Sequence, residues 1–418
     1  MRAVVLAAGE GVRMRPLTHS MSKMLLPIAG RSLLEHVLLA LKEAGVVSAI
    51  LVVGYRREEI ADYFGDGMEL GMQLSYVWQQ KQMGTAHALS CVNLKESFVM
   101  VNGDVMFDSP SLAAMIEKHK STGAAVTLSA YRVDDITPYG ELVVEGKKVL
   151  KILEKPKKKE SGLANAGIYV FSPAIFEAVA RTKPSPRGEL EVTASIQKLI
   201  DQGRFVQFHE LKWWQHVSMP WDLLDANKHF LKTQAANMRG VIEGGAHVAS
   251  NVSVGDGTRI RSGAYIEGPS RIGKNCEVGP NCFIRPFTSV GDMVRIGNGV
   301  EVKNSIIMDE THIGHLSYIG DSIVGGRCNF GAGTKVGNLR LDEKNVKVMV
   351  RGKPVDTGKR KFGAIIADDV KTGLNSVINP GISLGPNSIL GPGVVLYKDL
   401  PPNKCILIEQ QLKETSCR

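Results

Sequence analysis

No run of eighteen apolar residues occurs in this chain, and no basic segment followed by an apolar one opens it. The first absence speaks against a membrane-spanning helix and the second against a secretion leader. The expectation is a soluble protein of the cytoplasm that engages no membrane. Cysteine is scarce: Cys91, Cys276, Cys282, Cys328, Cys405 and Cys417 form no C-x-x-C and no finger spacing, which favours reduced thiols over a disulfide framework or a zinc site. Tryptophan is missing from everything beyond Trp221, whereas Trp78, Trp213 and Trp214 precede it. Aromatics interleaved with basic residues are missing too. A formal net charge of +9 therefore does not point to nucleic acid, which asks for stacking platforms. Anionic small molecules such as nucleotides, sugar phosphates and coenzyme A account for that balance more simply.

What the second half has instead is a beat. From Val248 every sixth residue is β-branched: Val254, Ile260, Ile266, Ile272, Val278, Ile284, Val290, Ile296 and Val302. With Val and Ile at about a quarter of positions, such a succession arises roughly once in a million trials, so it is a repeat and not a composition effect. A period of six fits neither a helix nor an ordinary strand. It fits a parallel β-helix of hexapeptide repeats, in which stacked coils bury a column of branched side chains. Gly255, Gly273, Gly279, Gly291 and Gly297 follow inward residues, and Lys274-Asn275, Pro280-Asn281 and Asn298-Gly299 come next. Gly and Asn accept the positive φ of a tight corner. The repeat leaves the hand of the helix open beyond the general right-handed rule for crossovers.

The first half alternates short apolar runs with helical patterns. Residues 3–8 read as a buried strand, and 50–53, 74–78 and 98–101 as further strands. Ser32 caps a helix with the stripe Leu33, Leu34, Val37, Leu38 and Leu41, which stops at Gly45. The expectation is an α/β doubly wound sheet with ligands at the carboxyl ends of its strands. The first such end reads Leu6-Ala7-Ala8-Gly9-Glu10-Gly11-Val12-Arg13-Met14-Arg15. Its glycines let backbone amides approach a phosphate chain, and Arg13 and Arg15 add positive charge. By itself a G-x-G is more often a plain turn, and neither the dinucleotide fingerprint nor a Walker loop is complete here. Lys23 and Asn102-Gly103-Asp104, at later strand-to-loop positions, strengthen the signal.

Gly84-Thr85-Ala86, Tyr139-Gly140, Glu154-Lys155-Pro156 and Asn165-Ala166-Gly167 follow in order. On these motifs residues 1–228 resemble the sugar-1-phosphate nucleotidylyltransferases. The resemblance implies that Leu6, Ala8, Gly9, Gly11, Gln79, Gly84 and Thr85 bind the nucleotide, the last three at its pyrimidine base. It also implies that Gly140, Glu154 and Asn165 hold the sugar, with Lys155 near its phosphate, and that Asp104 ligates Mg²⁺. The implied reaction is an in-line attack by a sugar phosphate on the α-phosphorus of UTP or dTTP. Such a step needs charge neutralisation and alignment more than a covalent partner, and Arg13 and Lys23 suit that catalytic role.

Two departures stand out. Where the family usually has an aspartate completing the metal site, this chain has His216, and where aspartate is common after Glu191-Val192-Thr193 it has Ala194. Imidazole is a softer, uncharged ligand for Mg²⁺. The expectation is a nucleotidyl site that is weakened, or that works with Mn²⁺.

Residues 229–244 read as a linker arm continuing a helical pattern, and 245–418 as the β-helix. The hexads slip one residue after Val302, resume at Ile307, Ile313 and Ile319, and return at Ile378, Leu384, Leu390 and Leu396. Between them, residues 338–361 carry eight Lys or Arg against three acids. A solvated loop is the plain reading of such a run, yet long loops that interrupt a rigid repeat are where sites gather. Just upstream stand His315, Tyr318 and Asn338. A histidine in a coil is more often a packing residue, but imidazole can take a proton from an amine attacking a thioester. Nearby His312 lacks the carboxylate or thiolate company of a metal pair.

Histidine, tyrosine, asparagine and a lysine-rich loop together resemble the acetyltransferase half of the bifunctional enzymes that make UDP-N-acetylglucosamine. The spacing of Asn338, Lys344 and Lys347 is closer to the archaeal form. The resemblance implies His315 as general base, Tyr318 and Asn338 orienting the amino sugar, and Lys344, Lys347 and Lys361 meeting phosphates of sugar or coenzyme A. It also implies a left-handed β-helix, a homotrimer or dimer of trimers, and acetyl-CoA and UTP as co-substrates with glucosamine or galactosamine 1-phosphate. Three rivals stay open: a nucleotidylyltransferase with a structural β-helix, an acetyltransferase with a decayed nucleotidyl domain, and a regulatory subunit without turnover.

Overall fold

The computed structural model describes residues 1–415 apart from 155, 157 and 158. They form two units, one of residues 1–10, 22–26 and 32–217, the other of residues 11–21, 27–31 and 218 onward. No helix among the described residues is long and apolar enough to cross a membrane.

In the first unit the apolar strand Arg2–Ala7 lies between two parallel partners, Ser48–Val53 and Phe98–Asn102. Gln73–Trp78 extends the parallel side to the sheet edge. Beyond Phe98–Asn102 the antiparallel strand Gly162–Phe171 begins a mixed region that continues through Val126–Val133, Val206–Glu210, Lys148–Glu154 and Gly140–Glu145, making nine strands. Unbroken apolar runs such as Ala3-Val4-Val5 suit strands covered on both faces, and these three residues are fully buried.

Helices Leu33–Glu43, Arg57–Phe64, Thr85–Ser90 and Ser109–Thr122 occupy the connections. The first is capped by Ser32, whose Oγ accepts from the Glu35 N–H at 3.2 Å. Its leucines at 33, 34, 38 and 41 are fully buried, each worth about 1.5–3 kcal/mol of burial. A short ribbon pairs Val105–Phe107 with Trp214–His216 and sets His216 opposite Val105. Val217 N–H then donates to the Asp104 carbonyl at 2.9 Å. Strand register, not sequence proximity, delivers His216 to Asp104.

The second unit is a parallel β-helix. Each coil gives one short strand to each of three sheets, of nine, eight and seven strands. Successive rungs lie 18 residues apart at Arg259↔Glu277 and 17 apart at Arg295↔His312, and the rung from Asn329 reaches Lys371. The last jump accommodates the 338–361 insertion. The inward column is the β-branched series, continued by Val324, Phe330 and Val336 and then by Ile366, Ile378, Leu384, Leu390 and Leu396 in one buried cluster. Corners take left-handed backbone, as at Asn275 and Asn281. Stacking also demands glycine: a Cβ on Gly273 would stand 2.2 Å from the Gly291 carbonyl oxygen.

Val241–Ile242 already pairs with Arg259–Ile260, so the coils begin ahead of residue 245. The helix Pro220–Thr233 is tied to its own unit through fully buried Asn227. That side chain accepts from Ala29 N–H at 2.8 Å and donates to the Phe287 carbonyl at 2.9 Å. The insertion is folded as well. Lys347–Val350 and Lys353–Asp356 form a hairpin, Val346 and Val348 are buried, and Lys359 Nζ lies 2.6 Å from the Asp225 carboxylate.

Candidate active sites

In the first unit, Asp104 follows the strand Phe98–Asn102 through Gly103. Gly103 N–H donates to the Leu6 carbonyl at 2.9 Å, and a Cβ there would stand 2.9 Å from the same oxygen. Only glycine lets the two strand ends approach this closely. Lys23 is 5% exposed, and its Nζ lies 2.5 Å from Asp104 Oδ2. His216 Nε2 lies 3.4 Å from the same oxygen. Burial pushes the Asp104 carboxyl up, but the charges and hydrogen bonds of Lys23 and His216 outweigh it and hold the group well below the usual carboxylate range.

Asp104 is thus a hard, ionised oxygen donor. Mg²⁺ sites commonly use one or two carboxylates and take their remaining oxygens from substrate phosphates and water, so this residue fits a metal that arrives with a nucleotide. No cluster of three or more His, Cys, Asp or Glu side chains that could hold a metal stands together among the described residues.

Around the strand ends, the Ala8 carbonyl accepts from Tyr55 N–H at 3.2 Å and from Gln82 Nε2 at 2.6 Å. Leu6 lies on the first strand, in register with Val52 and Asn102, and Gly9 is exposed just beyond it. Gln79 is buried after the edge strand, its amide nitrogen 3.3 Å from the Gly84 carbonyl. Gly84 takes φ 112°, and a Cβ would meet the Leu190 carbonyl oxygen at 2.5 Å. Thr85 Oγ1 accepts from Val192 N–H at 2.9 Å.

Sheet register gathers a second group. Gly140 stands opposite Glu154, Glu141 opposite Ala164, and a Cβ on Gly140 would lie 3.5 Å from Glu154 Oε1 and 3.8 Å from Asn165 Cβ. Asn165 Nδ2 donates to Tyr169 Oη at 2.8 Å. Lys155 lies outside the described residues. Gly11 and Arg13 belong to the second unit, where Gly11 opens a 3-10 turn at φ 67° and Arg13 is exposed.

Sequence reasoning passed over Arg187, whose guanidinium stands 2.7 Å from Glu191 and 3.6 Å from Glu154. Its signal lay in the Arg187-Gly188-Glu189-Leu190-Glu191 run.

The β-helix carries a second constellation. His315 ends the strand His312–His315, is exposed, and sits in register above Asn298. Tyr318 opens the next strand, stacked between Glu301 and Lys335 of the neighbouring coils. Its Oη accepts from Asn338 Nδ2 at 3.2 Å, and the same nitrogen donates to Asp321 Oδ2. Asp321 is buried and also accepts from Lys303 Nζ at 3.1 Å and Asn304 Nδ2 at 2.7 Å. Burial, then the charges of Asp321 and Glu301, push the Tyr318 phenol up.

Gly320 is what leaves room, since its Cβ would stand 2.5 Å from Tyr318 Oη and 2.8 Å from Asn338 Nδ2. The insertion is pinned to this corner: Phe362 N–H donates to the Asn338 carbonyl at 2.9 Å and Gly363 N–H to the Asp321 carbonyl at 2.8 Å. Lys361 bridges Leu339 beside that anchor, and Lys344 and Lys347 are exposed further out. No hydrogen bond or ion pair joins these three lysines to His315 or Tyr318 among the described residues. Lys303, Asn304 and Asp321 escaped the sequence reading. The one-residue slip between Val302 and Ile307 was their signal, because a shortened hexad re-aims a corner and Asn304 takes φ 43° there.

Known proteins bear on both constellations. A family model described as nucleotidyl transferase matches residues 2–233. A model of a GMPPB C-terminal domain matches 266–373, and one of the hexapeptide repeat of succinyl-transferase matches 363–398. The bifunctional protein GlmU of Methanococcus maripaludis is 39% identical over 379 residues, covering 90% of this chain and 89% of that protein. The chain belongs to the bifunctional GlmU family.

The GlmU family relative in Methanocaldococcus jannaschii is 35% identical over 377 residues, again 90% of this chain and 89% of its own. A bifunctional sugar-1-phosphate nucleotidylyltransferase/acetyltransferase of Sulfurisphaera tokodaii is 36% identical over 381 residues, 90% of this chain and 92% of its own. A crystal structure described as a glucose-1-phosphate thymidylyltransferase from Bacillus anthracis, in complex with a sucrose, superposes with TM-score 0.50 at 28% identity, covering 54% of this chain and 94% of that one. As a GlmU-family protein, the chain is a transferase with nucleotidyltransferase and acetyltransferase functions. The rivals with a single working half are not favoured.

Proposed function

We propose that residues 245–418 acetylate glucosamine 1-phosphate, or its galacto epimer, with acetyl-CoA, and that residues 1–228 then join the product to UTP. In the first reaction the amine nitrogen attacks the thioester carbonyl carbon, the carbon–sulfur bond breaks, and His315 takes the amine proton as coenzyme A leaves. Tyr318 and Asn338 orient the amino sugar, and Lys344, Lys347 and Lys361 offer charge to its phosphate or to the coenzyme. In the second reaction an oxygen of the sugar phosphate attacks the α-phosphorus of UTP, and the bond to the pyrophosphate oxygen breaks.

Lys23 and Arg13 neutralise charge developing on the phosphates. Leu6, Ala8, Gly9 and Gly11 line the nucleotide, and Gln79, Gly84 and Thr85 take its base. Gly140, Glu154 and Asn165 hold the sugar, with Lys155 at its phosphate. Asp104 would hold Mg²⁺, or Mn²⁺ given His216 beside it, and the ion would supply further charge neutralisation. A homotrimer or dimer of trimers suits a β-helix whose coils expose apolar side chains such as Val395 and Tyr397.

The observation that carries the acetyl-transfer reading is the Tyr318–Asn338–Asp321 network one turn from an exposed His315. Thiol release from acetyl-CoA with glucosamine 1-phosphate tests it. His315→Ala should abolish that release while pyrophosphate release from UTP and N-acetylglucosamine 1-phosphate continues. Retained thiol release would remove His315 as the base.

A further inference from the structure

We infer that His87 is a positioning residue that sets which nucleotide base Gln79 accepts, an inference that rests on the base-binding reading of Gln79 above. Gln79 is 4% exposed at the end of the sheet edge. Its Nε2 lies 3.3 Å from the Gly84 carbonyl and 2.9 Å from His87 Nδ1. A carbonyl can only accept, so the nitrogen of the amide and not its oxygen must face Gly84. The reversed amide would set its oxygen against the Gly84 carbonyl oxygen, with no hydrogen between them.

With the nitrogen so fixed, His87 Nδ1 must accept the remaining N–H, which puts the imidazole proton on Nε2. Both amide hydrogens are then committed within the protein. What Gln79 has left to offer is its carbonyl oxygen, which takes no hydrogen bond among the described residues.

An acceptor at the base position is complementary to the imide N–H of uracil or thymine. Cytosine presents a bare ring nitrogen there, and two acceptors would face each other. His87 reaches Gln79 because the turn that carries it is anchored elsewhere. Ala86 N–H donates to the Leu190 carbonyl at 2.8 Å, and Thr85 Oγ1 accepts from Val192 N–H. Without the imidazole, Gln79 keeps only the longer bond to Gly84, and its amide is free to turn and present the nitrogen. Selectivity among bases would then fall while the sugar side of the site, built on Gly140, Glu154 and Asn165, is untouched.

The test turns over full-length wild type, His87→Leu, His87→Lys, His87→Asn and Gln79→Leu with UTP and with CTP, at varied sugar 1-phosphate, with thermal melts as a check on folding. Wild type should favour UTP over CTP in kcat/KM. His87→Leu should raise the KM for UTP about tenfold, the loss of one oriented hydrogen bond, and narrow the UTP:CTP ratio by a similar factor, leaving the KM for sugar phosphate unchanged. His87→Lys, which puts a donor in place of the acceptor, should narrow it likewise, and it carries the test where the leucine variant is unstable. His87→Asn, whose side-chain oxygen can accept from Gln79, should restore most of the ratio. A ratio unchanged by His87→Leu or His87→Lys but collapsed by Gln79→Leu would overturn the inference alone. A ratio indifferent to Gln79→Leu, or absent in wild type, would overturn the base reading and the inference with it.

Discussion

Without the Lys23 ammonium, Asp104 would be a largely buried carboxylate with an imidazole at 3.4 Å as its charge partner. A carboxyl held below its ordinary range stabilises the fold above that range and loses this contribution only as pH falls through the depressed value. Lys23→Met removes a main cause of the depression, so its acid-unfolding midpoint should move to higher pH than that of wild type. The same variant should lower pyrophosphate release by about a hundredfold or more and leave thiol release from acetyl-CoA unchanged.

The cysteines allow a second test at this scale. Burial pushes the Cys282 and Cys328 thiols up to about 12 and raises Cys276 as well. An acid raised to that point stays protonated until pH nears 12, so at pH 8 roughly one thiol in ten thousand is ionised. Iodoacetamide on the folded protein at pH 8 should therefore modify exposed Cys405 and spare Cys276, Cys282 and Cys328 until denaturant is added, as read by peptide mass mapping. That the described cysteines stand free was legible from their spacing. Which of them are sealed in the coil interior was not, because burial follows from the stacking register.

Among elements, the coil that carries Tyr318 has no room for added volume at Gly320. A Cβ at position 320 would intrude on Tyr318 Oη and Asn338 Nδ2 together, so Gly320→Ala must displace the pair it was shaped around. Thiol release should fall at least tenfold in steady-state assays, with pyrophosphate release unaffected. The six-residue beat was plain in the sequence because the inward column buries one branched side chain per strand, and nothing else places Val and Ile so regularly. The hairpin in the insertion was not plain. Its apolar signal, Val346, Val348 and Val350 at a period of two, lies among Lys344, Lys347 and Arg351, and a charge count conceals it. The network under Tyr318 was half legible. Tyr318 and Asn338 carry recognisable chemistry, whereas Lys303 and Asp321 meet only because two shortened coils stack.

For the molecule as a whole, the division into an α/β sheet and a β-helix could be read from composition and period. The allocation of residues 11–21 and 27–31 to the second unit could not. It depends on long-range bonds such as Asn227 to Ala29, which no local pattern announces. Two activities in one chain predict an ordered product. The most direct measurement is the mass of the nucleotide sugar formed when the full-length protein receives UTP, Mg²⁺, acetyl-CoA and glucosamine 1-phosphate together. The account predicts a UDP-N-acetylhexosamine that vanishes when acetyl-CoA is withheld or when His315→Ala replaces wild type. A UDP-amino sugar without its acetyl group as the main product, or no nucleotide sugar at all, would contradict it.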